Sequence, residues 1–147
     1  MLPSAGLAHS ARLVSDPIDL ASLAGATPPD GAVCLFVGTV RNENRGRAVL
    51  RLEYEAYEDM ALPLMAEIAA ETARRFPVTD VRLVHRLGRL EIGEASVVVA
   101  VASPHRAEVF AACRFAIDAL KAQVPIWKKE LYADGSEWLD GTPVPRP

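Results

Sequence analysis

The sequence of 147 residues has no excess of positive charge and no long apolar run. Its 16 Lys and Arg stand against 19 Asp and Glu, a net charge of −3, whereas proteins that bind nucleic acid generally show a basic surplus. No stretch approaches the ~20 consecutive apolar residues of a membrane-spanning helix. The N-terminal residues also lack the basic segment and apolar run of a secretion signal. We therefore expect a cytoplasmic protein that binds neither nucleic acid nor a membrane.

Cysteine is scarce as well. The two cysteines, Cys34 and Cys113, have no second cysteine or histidine at the spacing of a metal site. Free cysteines are among the most buried residues in proteins, so we expect both to be small core residues. A nucleophilic or sulfur-carrying role is the alternative. The sequence also contains no phosphate-binding loop, dinucleotide fingerprint or Ser-His-Asp signature, and it predicts no metal site.

What the sequence does contain is the composition of one globular domain. Half of its residues are hydrophobic and 24% are charged, which is ordinary for a soluble protein. A chain of this length suits one domain with a sizeable core. We predict a single domain over residues 1–147, with loose ends at about 1–10 and 141–147, where proline, glycine and alanine are frequent.

The hydrophobic pattern predicts the element order β-α-β-β-α-β-β-α. Strands are expected at 11–15, 32–40, 48–57, 81–87 and 95–102, and helices at 17–23, 60–76 and 104–124. Asp16 and Ser103 are the expected N-caps of the first and last helices, each followed by a proline. Residues 81–87 and 95–102 are expected to pair antiparallel. The fold class is therefore α+β, with helices packed on a mainly antiparallel sheet.

Local patterns refine these elements. The apolar run 32–40 predicts a strand buried on both faces. Alternation in 48–57 predicts a half-exposed strand, with its apolar face made by Leu50, Leu52, Tyr54 and Ala56. The hydrophilic residues 41–47 between them are expected to form a mobile loop that joins two neighbouring strands. Pro63 is expected in the first turn of its helix, where proline is tolerated.

The last predicted helix has a basic pair at its start and a lysine near its end. His105 and Arg106 occupy the opening turn, where free backbone N–H groups and the helix dipole favour an anion. A phosphate or carboxylate bound there is one interpretation, and an ordinary solvated turn is the other. Lys121 lies one turn from the helix end, where the dipole favours a cation in any case.

Two more lysines follow this helix. Pro125 ends the helix, so Lys128 and Lys129 lie in extended chain and point in opposite directions. We expect one of them to face a site and the other to face solvent or a partner. The same segment is also compatible with a partner-binding edge anchored by Trp127.

Arg41 and His85 have simple explanations when each is taken alone. Arg41 belongs to the hydrophilic stretch 41–47, which a hairpin turn explains. His85 shares a strand face with Leu83 and Leu87, which predicts a core histidine rather than a catalyst.

Together, segments between residues 31 and 139 resemble the catalytic subunit of molybdopterin synthase. The motifs are FVGTVR at 36–41, LEYEAY at 52–57 with MA at 60–61, VHRLGRLEIGE at 84–94, HR at 105–106, IDALK at 117–121, VPIWKKE at 124–130 and Trp138. Motifs of this length in the same order make a chance match improbable. The resemblance implies an α/β hammerhead-like fold.

The resemblance also implies a reaction and its partners. A small ubiquitin-like subunit carries sulfur as a thiocarboxylate on its C-terminal Gly-Gly tail, which enters a pocket of the catalytic subunit. Two sulfurs pass to cyclic pyranopterin monophosphate and build the dithiolene of molybdopterin. Catalytic subunits pair as a homodimer within a heterotetramer, with one small subunit at each end. Molybdopterin is the product, so no cofactor is expected.

Site residues follow from the motifs in the same way. Lys121 and Lys128 are the expected catalytic residues, which stabilise an oxyanion or move protons. Arg41, His105 and Arg106 are expected to hold the phosphate and pterin. The full set of expected substrate-binding residues is Thr39, Val40, Arg41, His105, Arg106, Lys121, Lys128, Lys129 and Glu130.

Two other functions are compatible with the same residues. A non-catalytic anion-binding scaffold that docks the tail of a ubiquitin-like partner predicts the same basic pocket without turnover. A small phosphate-ester enzyme with His105 as its base predicts activity without a partner protein. One assay, performed with and without the small subunit, separates the three functions.

Overall fold

Two sheets and three helices make up the part of the chain that the structure describes. The computed structural model describes residues 8–139, and the side chains of residues 8–135. The strands are β1 Ala8–Val14, β2 Ala32–Thr39, β3 Glu43–Asn44, β4 Arg47–Ala56, β5 Asp80–Arg86, β6 Gly88–Glu91, β7 Ala95–Ser103, β8 Ile126–Tyr132 and β9 Gly135–Leu139. The helices are α1 Leu20–Leu23, α2 Glu58–Arg75 and α3 Arg106–Gln123.

The first sheet has the strand order β1-β5-β7-β2. β1 runs parallel to β5, whereas β5 with β7 and β7 with β2 pair antiparallel. The second sheet has the order β3-β4-β8-β9, and β6 also pairs with β4. All pairs in the second sheet are antiparallel among the described residues. The predicted α+β class and the antiparallel pairing of β5 with β7 are confirmed.

The main core lies between the first sheet and the two long helices. Met65 of α2, Val109 of α3 and Val99 of β7 are buried in one hydrophobic cluster there. Val98 and Val84 are buried on the other face of the sheet, against Leu23 of α1. A central strand covered on both faces needs a continuous apolar run rather than an alternating one, which is why residues 95–102 could be recognised as a strand.

The second sheet has a separate, smaller core. Val49 and Leu52 of β4 pack with Leu90 of β6 and Tyr132 of β8. Leu50 was predicted to belong to this face but is 53% exposed. The pairing register of β4 with β8 shifts between Val49 and Arg51, and such a bulge reverses the faces on either side of it. The predicted assignment of apolar and polar faces in residues 48–57 therefore holds only after the bulge, from Arg51 onward.

Two predictions about the segment 32–47 were wrong. β2 is an edge strand paired only with β7 in the described sheet, and Phe36 is 36% exposed, so the strand is not buried on both faces. β2 and β4 lie in different sheets, so residues 41–47 connect the sheets rather than neighbouring strands. Part of this predicted loop is β3, joined to β4 by Arg45 and Gly46 at φ 52° and 77°, the geometry of a tight two-residue hairpin turn.

The helix starts differ from those predicted. α1 is N-capped by Asp19 rather than Asp16, and α3 by His105 rather than Ser103. Ser103 is the last residue of β7, and its hydroxyl oxygen accepts a hydrogen bond from the His105 N–H at 3.3 Å. α2 begins at Glu58, so Pro63 lies in the second turn and offers no N–H to the Asp59 carbonyl.

The ends of the chain are described only in part. Residues 8–10, expected to be loose, belong to β1 and pair with β5. The rest of the predicted loose ends, 1–7 and 141–147, lie outside the described residues. Strands β3, β6, β8 and β9 were not in the predicted order. No helix among residues 8–139 is long and apolar enough to cross a membrane.

Candidate active site

A cavity of about 210 Å³ lies where the two sheets meet the end of α3. Its walls come from β2, the segment after β2, β3, β4, β7, α3 and β8. Five residues proposed from the sequence line it: Thr39, Arg41, Lys121, Lys128 and Glu130. These residues come from distant parts of the chain, so the fold brings them together around one space.

The end of β2 shapes one wall of the cavity. A Cβ on Gly38 would lie 2.7 Å from Val97 Cγ1, too close for any side chain to be accommodated without movement. The Ser96 hydroxyl donates a hydrogen bond to the Gly38 carbonyl at 3.1 Å. The β2–β7 register shifts between Gly38 and Thr39, and a bulge of this kind redirects the side chain that follows it. Close backbone approach therefore places Thr39 at the cavity.

Lys121 reaches the cavity from the last turn of α3. The residue as a whole is exposed, yet it lines the cavity wall together with Lys128. Partial burial, followed by the positive charge of Lys128, lowers the pKa of Lys121. A lysine with a lowered pKa is a better proton carrier near neutral pH than an ordinary surface lysine.

Lys128 enters from β8 and is paired with a carboxylate. Its Nζ lies 3.3 Å from Glu130 Oε1, two positions along the same strand and therefore on the same face. Glu130 is 2% exposed, and Asn44 Nδ2 donates to both of its carboxylate oxygens at 3.0 and 3.1 Å. The Lys128 ammonium thus has a fixed, buried counter-ion.

Glu130 remains charged despite its burial. Burial by itself would raise its pKa, but hydrogen bonds from Tyr132 and Asn44, with the Lys128 charge, outweigh burial and lower the pKa of Glu130. The sheet supplies these partners because β8 pairs with β4, which in turn pairs with β3. The ionised Glu130 holds the Lys128 side chain in place at the cavity.

Comparisons with known proteins identify the fold and the family. The model of the MoaE protein family matches residues 13–123. The chain belongs to the MoaE family of molybdopterin synthase catalytic subunits. A curated catalytic subunit from Bacillus subtilis is 48% identical over 74% of this chain and 69% of its own length, and one from Staphylococcus carnosus is 44% identical over 87% of each. The family's members are enzymes of molybdopterin biosynthesis, and this chain is one of them.

Solved structures agree with this assignment. The crystal structure of molybdopterin synthase from Staphylococcus aureus superposes with a TM-score of 0.82 at 39% identity, covering 86% of this chain and 94% of that one. A MoaE protein from Burkholderia ambifaria superposes with a TM-score of 0.75 at 40% identity, over 90% of both chains. The mixed architecture described above is therefore the MoaE fold.

Two of the predicted substrate-binding residues, Val40 and Lys129, do not line the cavity. Val40 is 3% exposed, and its backbone bonds with Glu94 O and Gly93 N at 3.0 and 2.9 Å, so it supports the wall from behind. Lys129 lies opposite Glu53 in the β4–β8 register and points away from Lys128. The opposite orientations of the two lysines were predicted from the extended chain.

His105 and Arg106 are not in this cavity. They are exposed residues at the start of α3, fifteen or more residues before Lys121, which is about 22 Å along a helix that rises 1.5 Å per residue. The structure therefore separates these two residues from the lysines of the same chain. The expected role of His105 and Arg106 in binding the substrate stays a prediction.

Sequence reasoning missed four polar residues of the cavity: Glu43, Asn44, Tyr54 and Ser96. Burial raises the pKa of Tyr54, against the opposing effect of its hydrogen bond with Ser96. The Asn-Arg-Gly sequence at 44–46 is typical of a hairpin turn, so the position of Asn44 beside such a turn could have been predicted. The role of Asn44 depends on Glu130, far along the chain, and no local signal shows that contact.

His85 lies behind the cavity, where it was predicted as a core histidine. It is 5% exposed, and its ring meets the Tyr54 ring edge-on at a centroid distance of 5.0 Å. Burial, followed by the nearby Lys121 charge, lowers the pKa of His85 to about 4, against the effect of the contact with the Arg86 carbonyl. A neutral imidazole therefore lies between the core and Tyr54.

No group of three or more His, Cys, Asp and Glu side chains that could hold a metal ion is found within residues 8–139.

Proposed function

We propose that this chain transfers sulfur from the C-terminal thiocarboxylate of a small ubiquitin-like subunit to cyclic pyranopterin monophosphate. The observation that carries the proposal is the meeting of Lys121 and Lys128 at one cavity with Arg41. Substrate phosphate, donor tail and developing oxyanion are all negative, so the reaction needs fixed cations. A sulfur nucleophile of the enzyme's own is not required, because the donor tail brings the sulfur.

The two lysines suit different tasks. The Lys128 ammonium group is held in position by Glu130 at 3.3 Å, which suits stabilisation of the oxyanion that forms at the acyl carbon of the tail. Lys121, with its lowered pKa, suits proton transfer. Each sulfur bonds to a substrate carbon as a carbon–oxygen bond at that carbon breaks, and the oxygen leaves as water or, where the phosphate ring opens, on the phosphate. Water adds at the acyl carbon in place of the sulfur, so the tail leaves as an ordinary carboxylate.

We assign Arg41 to binding of the substrate phosphate. It lines the cavity beside Thr39, whose hydroxyl offers a further donor. The planar guanidinium of an arginine matches phosphate oxygens with two parallel hydrogen bonds. The pterin and phosphate then lie between Arg41 and the lysine pair.

The site requires a second copy of the chain if His105 and Arg106 are to bind the substrate. Both are remote from the cavity of their own chain, as described above. The cavity of about 210 Å³ is also smaller than the roughly 300–1,000 Å³ of ordinary small-molecule sites. We propose that a homodimer supplies the missing wall, and that one small subunit joins each end to form a heterotetramer. The absence of a cofactor and a cytoplasmic location remain predictions from the sequence.

Reconstitution tests the proposal directly. The purified chain is mixed with cyclic pyranopterin monophosphate and a thiocarboxylated small subunit, and dithiolene formation is measured. The matched control is the same small subunit with an ordinary C-terminal carboxylate. We expect product only with the thiocarboxylate. Binding of both partners without product would favour the scaffold function, and phosphate-ester cleavage without the small subunit would favour the third function.

A further inference from the structure

Arg86 is a buried arginine that does not line the active-site cavity. It ends β5 and is only 9% exposed. Because a buried arginine keeps its charge, it needs a counter-ion and hydrogen-bond acceptors. Its Nη1 donates to Glu94 Oε2 at 2.8 Å, and its Nε donates to the Ser15 carbonyl at 3.3 Å. The ion pair therefore joins the end of β5 to the residue just before β7.

The carboxylate of this ion pair also holds the turn between β6 and β7. Glu94 Oε1 accepts a hydrogen bond from the Glu91 N–H at 2.8 Å, and the Glu94 N–H donates to the Glu91 carbonyl at 3.1 Å. Gly93 lies in this turn at φ 88°, a conformation that favours glycine. The Glu91 N–H, followed by Arg86, lowers the pKa of Glu94. One ionised side chain therefore binds both the turn and Arg86.

The turn in addition fixes the backbone of Val40. The Val40 N–H donates to the Glu94 carbonyl at 3.0 Å, and the Val40 carbonyl accepts from the Gly93 N–H at 2.9 Å. The residues on either side of Val40, Thr39 and Arg41, both line the active-site cavity. Arg41 lies after the end of β2 and outside any strand or helix. The hydrogen bonds of Val40 therefore hold the backbone of Arg41 on the side of β2.

We propose that Arg86 and Glu94 are positioning residues for Arg41 in the binding of the substrate phosphate. Arg86 fixes the Glu94 carboxylate, and the carboxylate fixes the turn. The turn fixes Val40, the residue before Arg41. Neither Arg86 nor Glu94 lines the cavity, so the ion pair acts through the backbone rather than on the substrate. This role rests on one part of the proposed function, the binding of the substrate phosphate by Arg41.

A positioning role explains why the buried residue is an arginine. A buried ion pair adds little to stability, because desolvation offsets much of its Coulomb energy. An apolar side chain of similar length could fill the same space, but it could not bind the Ser15 carbonyl and the Glu94 carboxylate. Charge-assisted hydrogen bonds from one planar guanidinium fix the direction as well as the distance of both partners. The arginine therefore supplies geometry that packing alone would not.

Substrate binding by Arg86→Met and Arg89→Met tests the proposal on the full chain. Methionine removes the buried charge, and Glu94, with a 33% exposed side chain, can be hydrated once its partner is gone. Arg89 is the matched control, because it lies in the same segment and its ion pair with Glu91 joins side chains that are 59% and 54% exposed. Calorimetry measures Kd for cyclic pyranopterin monophosphate. We expect Kd to rise roughly tenfold or more in Arg86→Met and to stay unchanged in Arg89→Met.

A double variant separates positioning from a general loss of structure. Arg41→Ala is expected to weaken binding by itself, and Arg86→Met added to it should weaken binding no further, because the group that Arg86 positions is already absent. Additive effects, or an unchanged Kd in Arg86→Met, would overturn the proposal. Glu94→Gln is the second variant if Arg86→Met folds poorly. It keeps an acceptor for the Glu91 N–H but loses the charge that holds Arg86, so Kd should rise in the same way.

Steady-state kinetics add a readout that distinguishes this role from the proposed function. In Arg86→Met we expect KM for cyclic pyranopterin monophosphate to rise, while kcat and KM for the small subunit stay near their normal values, because Lys121 and Lys128 remain in place. A loss mainly in kcat would overturn the positioning role. If the unmutated chain shows the expected binding pattern but forms no dithiolene, the proposed function fails and the positioning role stands. If the unmutated chain does not bind the substrate, both fail.

Discussion

Lys128 and Glu130 form an ion pair of 3.3 Å between a cavity-lining ammonium and a carboxylate that is 2% exposed. The pair is rigid because Asn44 and Tyr132 also bind the carboxylate. A buried ion pair is weak evidence for stability, since desolvation offsets much of its Coulomb energy. The ion pair matters here because it fixes the position of the Lys128 ammonium group in the proposed active site.

Removing either cavity lysine should nearly abolish turnover. We expect Lys121→Ala and Lys128→Ala each to lower kcat by at least about a hundredfold, because losing one preorganised electrostatic contact costs on the order of 3 kcal/mol. Steady-state rates of dithiolene formation measure the effect, and circular dichroism checks the fold. Arg114→Ala is the matched control, since Arg114 lies on α3 with an 86% exposed side chain. Near-normal rates in both lysine variants would remove the assignment.

Replacing Glu130 by a neutral residue should lower both kcat and the free energy of unfolding. Glu130→Gln keeps the shape but removes the counter-charge of Lys128, and hydrogen bonds to charged groups contribute about 1.5–3 kcal/mol. We expect kcat to fall roughly tenfold or more, and the free energy of unfolding to fall by about 2 kcal/mol. Urea denaturation and the pH–rate profile are the measurements. An unchanged profile with normal kcat would show that the pair has no catalytic role.

His85 should make the protein less stable in mild acid. Its pKa is lowered to about 4 in the folded state, whereas an unfolded histidine titrates near 6.5. The unfolded chain therefore binds the proton first, so stability is complete above about pH 6.5 and falls as pH decreases towards about 4. The loss attributable to this residue is on the order of 3 kcal/mol over that window.

Comparison of variants isolates this histidine from the carboxylates that titrate nearby. The free energy of unfolding is measured from pH 7 to pH 4 for the unmutated chain, for His85→Gln and for His9→Gln. His9 is an exposed histidine on β1, so its variant should retain the full pH slope. A slope unaffected by His85→Gln would contradict the explanation.

Mixed variants should reveal whether two chains share one active site. Lys121→Ala and Arg106→Ala are each expected to be inactive alone. If Lys121 of one chain and Arg106 of the other act in the same site, each mixed dimer contains one intact site. Equal mixing of the two variants should then restore about a quarter of normal activity. If both residues serve the site of their own chain, every mixed dimer is inactive. Light scattering of each variant checks that the dimer survives.

Loss of both cysteines should leave sulfur transfer intact. The Cys34→Ala, Cys113→Ala double variant is expected to keep normal kcat, because the sulfur comes from the donor tail. Its stability should fall by about 1 kcal/mol, since Cys113 packs in the main core. Dithiolene assays and thermal unfolding provide the measurements. A well-folded double variant without activity would point instead to a persulfide carried by the enzyme.

Much of the fold could be predicted because each element's burial is visible in its own residues. The apolar run of β7, the amphipathic pattern of α2 and the proline after α3 all act locally. The errors came where partners elsewhere in the chain decide the outcome. β2 is apolar enough for a central strand yet lies at an edge, and the bulge beside Leu50 depends on pairing with β8.

The sequence by itself determined the family, the element types and the charges at the two ends of α3. Only the tertiary structure decided which of those charges meet. Pairing of β4 with β8 brings Tyr54 opposite Lys128, and packing of α3 brings Lys121 to the same cavity, while its length keeps His105 and Arg106 away. Contacts between residues far apart in the chain depend on how the elements pack together, and no local pattern records that packing.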